Sequence, residues 1–134
     1  MITFLPYPDY RKSLECLDRQ RLNRQRLEAW QIYDAITNPD SIYRNTVRGP
    51  AVRMWIGWSE SLAEYYDLAL MVWAERGYVN EKMKPLGLYD GPRPNWLGGP
   101  VHASHRSNLL RKLPVWYGRY GWEEADDAQY VWPV

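Results

Sequence analysis

The strongest constraint on the fold is a recurrence of apolar side chains every three to four residues along two segments, each closed by a local stop. Leu22, Ala29, Ile32, Tyr33 and Ile36 lie at spacings of three, four and seven, which puts them on one stripe of a helix. Asp18 is a suitable N-cap and Asn38-Pro39-Asp40 a suitable stop, so a long helix is predicted from there to about Thr37. A second is predicted from Ser59, as its cap, to near Arg76, with Leu62, Tyr66, Ala69 and Trp73 inward and Gly77 suited to C′. A third covers about Ser104 to Leu113, ended by Pro114. Asp9 can cap a short first helix, and Gly49-Pro50 opens a helical turn through Trp55. Residues 1–9 read as an extended arm punctuated by Pro6 and Pro8, residues 78–100 as a long loop rich in proline and glycine, and the chain after Leu113 as irregular and aromatic-rich. Nothing alternates in the manner of a strand. The expected fold is mainly α: a single compact domain over residues 1–134, with about three main helices and long irregular connections.

Length agrees, since 134 residues suit one domain with a real core. No apolar run of about 18 residues occurs, and the start lacks a basic segment followed by an apolar one, so neither a membrane span nor a secretory signal is expected. Cys16 is the only cysteine. An intramolecular disulfide and a cysteine-rich zinc site are therefore impossible, and a reduced, cytoplasmic context is expected, with Cys16 in the core.

Charge is balanced in total, 17 Lys and Arg against 16 Asp and Glu, but segregated along the chain. Arg44, Arg48 and Arg53 follow one another with no acid between them, and residues 91–122 hold Arg93, Arg106, Arg111, Lys112 and Arg119 without a single acid. Acids gather at Glu60, Glu64, Asp67 and Glu75 and again at Glu123, Glu124, Asp126 and Asp127. This predicts one basic and one acidic face. Thirteen of the 17 cations are arginine, suited to phosphate and to ring stacking. Eight Trp and 11 Tyr against one Phe suit surfaces that are half wet. Tyr33, Trp55, Tyr66 and Trp73 fall on apolar stripes and are expected in the core; Trp116, Tyr117 and Tyr120 lie in the acid-free segment and are expected to stack on bases.

On the first long helix Arg21, Arg24, Gln25 and Glu28 share a face. Arginine placed N-terminal to glutamate is the weaker order for helix stability. Glu28 is therefore a candidate acid/base or electrostatic group beside a bound polyanion, with an ordinary surface ion pair as the alternative. His102 and His105 can share a helix face as metal ligands do, with Cys16 as a third, but no second ligand pair accompanies them. No metal and no cofactor is expected, and no glycine-rich phosphate loop is present.

The stretch Arg19-Gln20-x-Leu22-x-x-Gln25-x-x-Glu28 resembles the glutamate-bearing helix of the pyrimidine-dimer DNA glycosylase/AP-lyase family of small endonuclease V type. Ala74-Glu75-Arg76-Gly77-Tyr78 is similar to the basic end of that family's middle helix, and residues 114–121, PVWYGRYG, to its aromatic C-terminal segment. FLPYPD, AVRMW, SHRSNLLRK and YVWP look closer still to an uncharacterised bacterial and phage branch. The resemblance implies that a free α-amine at the chain start attacks C1′ of deoxyribose and forms a Schiff base as the base leaves. An α-amine, with a pKa near about 8, is neutral far more often at pH 7 than lysine at about 10.4. Bulky Ile2 should retain the initiator, which makes Met1 the nucleophile and Glu28 the catalytic carboxylate. Leu27 and Gln31 stand where relatives commonly carry arginine, so charge on this helix is redistributed to Arg21, Arg24 and Arg26.

The expected partner is double-stranded DNA with a damaged or modified base, bound by a monomer. Its expected contacts are Arg21, Arg24, Gln25, Arg44, Arg48, Arg53, His105, Arg106, Arg111, Lys112, Trp116, Tyr117, Arg119 and Tyr120. Two alternatives stay open: a non-catalytic nucleic-acid-binding protein on the same scaffold, and a glycosylase for a hypermodified base.

Overall fold

The computed structural model describes residues 1–87 and 90–134; positions 88 and 89 of the expected 78–100 loop lie outside them. The described residues form six α-helices: α1 Tyr10–Glu15, α2 Arg19–Thr37, α3 Pro50–Arg53, α4 Ser59–Glu75, α5 Val101–Lys112 and α6 Pro114–Tyr117. No strand occurs among the described residues, and the three long helices are the three expected. No helix among them is long and apolar enough to cross a membrane.

Local signals place most helix ends. Asp9 caps α1 by accepting the Lys12 N–H at 2.8 Å. Asn38 closes α2 through its N–H to the Asp34 carbonyl, and Pro39 prevents continuation. Gly77, at φ +85°, ends α4 in a Schellman motif, with its N–H on Ala74 and the Tyr78 N–H on the Trp73 carbonyl. Three expectations need correction. Asp18 makes no cap bond, because its carboxylate is taken by Arg21 and the Tyr117 hydroxyl. Ser59 is the first residue of α4 rather than its cap. Helix α5 begins three residues before Ser104, after Pro100, whose fixed φ suits a helix start. Past Leu113 the chain is more regular than expected, forming α6 with Pro114 at its first position.

Helix α2 packs on α4, and α1 on the same α4, around a single apolar core. Trp55, Tyr66 and Trp73 are buried as expected, whereas Tyr33 is half-buried and stacks on Trp30. Cys16 lies in the core, where burial pushes its thiol up to about 12. The charge segregation closes on itself: Arg93 pairs with Glu64 at 3.1 Å, Arg106 with Glu124 at 2.8 Å and Arg11 with Glu75 at 2.8 Å. Acid-poor and acid-rich segments thus meet in space, and the expected single basic face is partly consumed by these pairs.

The N-terminal arm departs most from a solvated segment, since Thr3, Phe4, Leu5 and Pro6 are buried. Extended chain with no strand beside it leaves its peptide groups unpaired, at about 1–3 kcal/mol for each one buried. Here side chains from several elements supply the partners. Gln25 takes the Phe4 N–H at 2.8 Å and donates to the Ile2 carbonyl at 3.1 Å. The Tyr65 hydroxyl donates to the Phe4 carbonyl at 2.8 Å, His105 Nδ1 accepts the Leu5 N–H at 2.8 Å, and His102 Nδ1 donates to the Leu5 carbonyl at 2.8 Å. Arg106 donates to the Pro6 carbonyl at 2.7 Å, and Trp55 Nε1 to the Thr3 hydroxyl at 2.9 Å.

Candidate active site

Where the arm meets the first half of α2, a cavity of about 510 Å³ opens, lined by Ile2, Phe4, Gln20, Arg21, Asn23, Arg24, Gln25, Glu28 and Lys112. Spacings of three, four and seven put Arg21, Gln25 and Glu28 on one face of α2, as the sequence predicts. Glu28 is 8% exposed and its Oε2 lies 3.7 Å from Arg24 Nε. That contact is long and the arginine side chain is 72% exposed, so the pair is a weak one and Arg24 is free to turn to an incoming anion. Arg21 is steadied by Asp18 at 3.2 Å. Lys112 enters from the end of α5, 84 positions after Glu28 in sequence. One buried carboxylate edged by three cations can stabilise positive charge at a reacting carbon while the cations hold flanking phosphates.

The expected contacts fall in different surroundings. His105 and Tyr117 are both fully buried. Burial pushes the His105 ring down to about 3, so it is a neutral acceptor for Leu5, with Tyr130 and Trp132 edge-on at 5.6 and 5.5 Å. The Tyr117 hydroxyl is held well above its ordinary range, by burial first and by its bond to Asp18 second. The Gln25 amide bonds the arm at both of its ends. Arg106 is bidentate to Glu124 at 2.8 and 2.9 Å and also holds Pro6. Those bonds use three of its five N–H donors. Trp116 is half-buried, donates to the Cys16 carbonyl at 2.8 Å, and carries the Arg119 guanidinium 4.0 Å above its ring. Tyr120 stacks on Trp122 at 5.6 Å. The expected aromatic wall is therefore largely packing, with its best rings already covered. Arg44 is exposed but donates to the Ala35 carbonyl at 2.9 Å; Arg48 and Arg53 are exposed on the turn around α3; Arg111 is exposed and bonds the Asp126 carbonyl at 3.3 Å and Asn108. Met1 is 37% exposed, one residue ahead of cavity-lining Ile2.

A family model described as pyrimidine dimer DNA glycosylase matches residues 1–86, which hold the arm, α2 with Glu28, and α4. The chain belongs to the pyrimidine dimer DNA glycosylase family. No curated protein and no solved structure matches it. The family match ends before α5 and before the 114–121 segment, so Lys112 comes to the cavity from outside it. Sequence reasoning missed the two histidines and Gln25 as holders of the arm. The available signal was α5 itself, which carries His102, Ser104, His105, Ser107 and Asn108 on buried positions and so needs polar partners.

Proposed function

We propose that this protein is a DNA glycosylase with AP-lyase activity that removes a damaged or modified pyrimidine from duplex DNA. The α-amine of Met1 acts as nucleophile and Glu28 as catalytic carboxylate. The observation that carries the reading is the docking of residues 2–4 against the cavity that holds buried Glu28. The amine lone pair forms a bond to C1′ as the bond from C1′ to the base breaks, and the base leaves with that electron pair and takes a proton. The sugar ring opens at its C1′–O4′ bond to leave an imine. Glu28 then accepts the C2′ proton, and those electrons expel the 3′ phosphate. Arg21, Arg24 and Lys112 are the phosphate contacts nearest this chemistry. Access to C1′ costs a few kcal/mol of unstacking, offset by such contacts.

Borohydride trapping on DNA with an abasic site tests the reading. An adduct that disappears when the α-amine is blocked, with turnover collapsing in Glu28→Gln, supports it. No adduct anywhere between about pH 6 and 9, where an α-amine titrates, overturns it and favours a non-catalytic DNA-binding role. A panel of duplexes with dimers and with 5-substituted pyrimidines then identifies the base. Leu27, exposed beside this face where relatives carry arginine, makes the second class of substrate worth including.

A further inference from the structure

We infer that Gln25 is a positioning residue that sets how far the chain's α-amine reaches toward Glu28; this rests on the function proposed above. Gln25 is fully buried, and its amide orientation is dictated by its surroundings. Oε1 accepts the Phe4 N–H at 2.8 Å, and on the same side lies the Tyr65 hydroxyl, whose one proton is shared between Oε1 at 2.6 Å and the Phe4 carbonyl at 2.8 Å. The NH₂ group must therefore face the other way, where it donates to the Ile2 carbonyl at 3.1 Å. Reversing the amide would set its NH₂ group against the Phe4 N–H and its oxygen against the Ile2 carbonyl.

The consequence is a register. Ile2 is the last residue of the arm whose main chain is held before the terminus, and Gln25 Nε2 is the group that holds it. From the Ile2 carbonyl back to the Met1 nitrogen is two residues, a reach of at most about 7 Å. Gln25 and Glu28 are three apart on α2, so their side chains are neighbours about 5–6 Å apart at Cβ. The amine is thereby tethered within that reach of the Ile2 carbonyl, at the edge of the cavity that Ile2 and Glu28 both line, while Met1, 37% exposed, stays free enough to bend onto a substrate. Such confinement raises the rate of attack without touching the substrate.

Gln25→Glu is the informative variant, because its carboxyl changes one function with pH. Protonated, it copies the amide, with one oxygen accepting from Phe4 and the O–H donating to Ile2. Ionised, it keeps the acceptor and loses the donor. The titratable groups near it are Tyr65 on α4, bonded to its Oε1, and Glu28 on α2, which lines the same cavity. Borohydride trapping on abasic DNA is read from about pH 6 to 9, with DNA affinity and melting temperature measured in parallel. At this fully buried position desolvation raises a carboxyl above its ordinary value of about 4.3, so the variant should approach wild-type trapping at the acid end and fall at least about tenfold below it at the alkaline end, with affinity unchanged. A variant-to-wild-type ratio that is flat across pH overturns the inference and leaves Gln25 a purely structural residue. Insertion of one leucine, bulky enough to retain the initiator, between Met1 and Ile2 guards against a folding defect, since every contact from Ile2 onward is kept while the amine moves by about 3.8 Å. Full trapping by the insertion variant also overturns the inference. No adduct with the wild-type protein overturns the underlying function instead, and the inference with it.

Discussion

Two irregular segments flank α5 and use the same helix differently. The arm, residues 2–7, runs buried, and α5 serves its peptide groups through His102, His105 and Arg106. The tail, residues 122–132, lies over the outside, and α5 holds it through Arg106 to Glu124, Ser107 to Ala125 and Ala128, Asn108 to Ala128 and Ser104 to Val131. Both are stretches of chain without a strand partner, satisfied by side chains. Only the arm delivers residues into a cavity with a buried carboxylate. The comparison teaches that α5 is a polar strut, serving a buried arm on one side and an outer tail on the other.

The comparison can be broken most sharply at the carboxylate. Glu28→Gln should lose about 10²–10⁴-fold in turnover with little change in unfolding free energy, measured by trapping kinetics and urea denaturation, if the arm side carries the chemistry. His105→Ala should cost about 3 kcal/mol in urea denaturation, because it empties buried volume and orphans the Leu5 N–H. A loss well under 1 kcal/mol would mean that the arm does not depend on this ring.

The same ring predicts a pH response. His105 is pushed down to about 3 in the folded chain against an ordinary value of about 6.5 when unfolded. Below about pH 6.5 the unfolded chain therefore binds the extra proton, and stability falls by roughly 1.4 kcal/mol per pH unit until about pH 3. Burial lowers His102 too, which adds in the same direction. His105→Phe should flatten this slope, read as denaturation midpoint against pH. Glu124 contributes separately: its bond to Arg106 holds its carboxyl below the usual range, so its stabilising share is present above about pH 4.3 and lost as pH falls through the folded value.

Arg106→Ala touches both sides of the strut and should cost about 1–2 kcal/mol. The smallest effect is expected at Lys112→Ala, which should weaken binding to duplex DNA a few-fold and reduce its salt slope by about 1. Tyr120→Ala, by contrast, should leave that slope unchanged, because its ring packs on Trp122.

Helix positions were legible because their causes are local. The apolar period of α2 and α4, the Asn38-Pro39 stop, the Gly77 turn and the Asp9 cap all act within a few residues. The grouping of Arg21, Gln25 and Glu28 was legible for the same reason, since one helix fixes their common face. Less legible was what each polar side chain bonds. Asp18 carries the signature of a cap, yet the Tyr117 hydroxyl, 99 residues away, takes its oxygen. Tyr117 and His105 sit in an acid-free basic run, and only packing reveals that both are inside.

By itself the sequence determined an all-helical chain, the limits of its long helices and a carboxylate on a cationic helix face, because short-range periodicity and turn chemistry suffice for these. Only the tertiary structure decided that the arm is buried, that Gln25 holds Ile2 and Phe4, and that Lys112 completes the cavity. Those arrangements join residues from 21 to more than 80 positions apart. Hydrogen-bond partners over such distances are selected by which groups burial strips of water, and that is a property of the packed molecule.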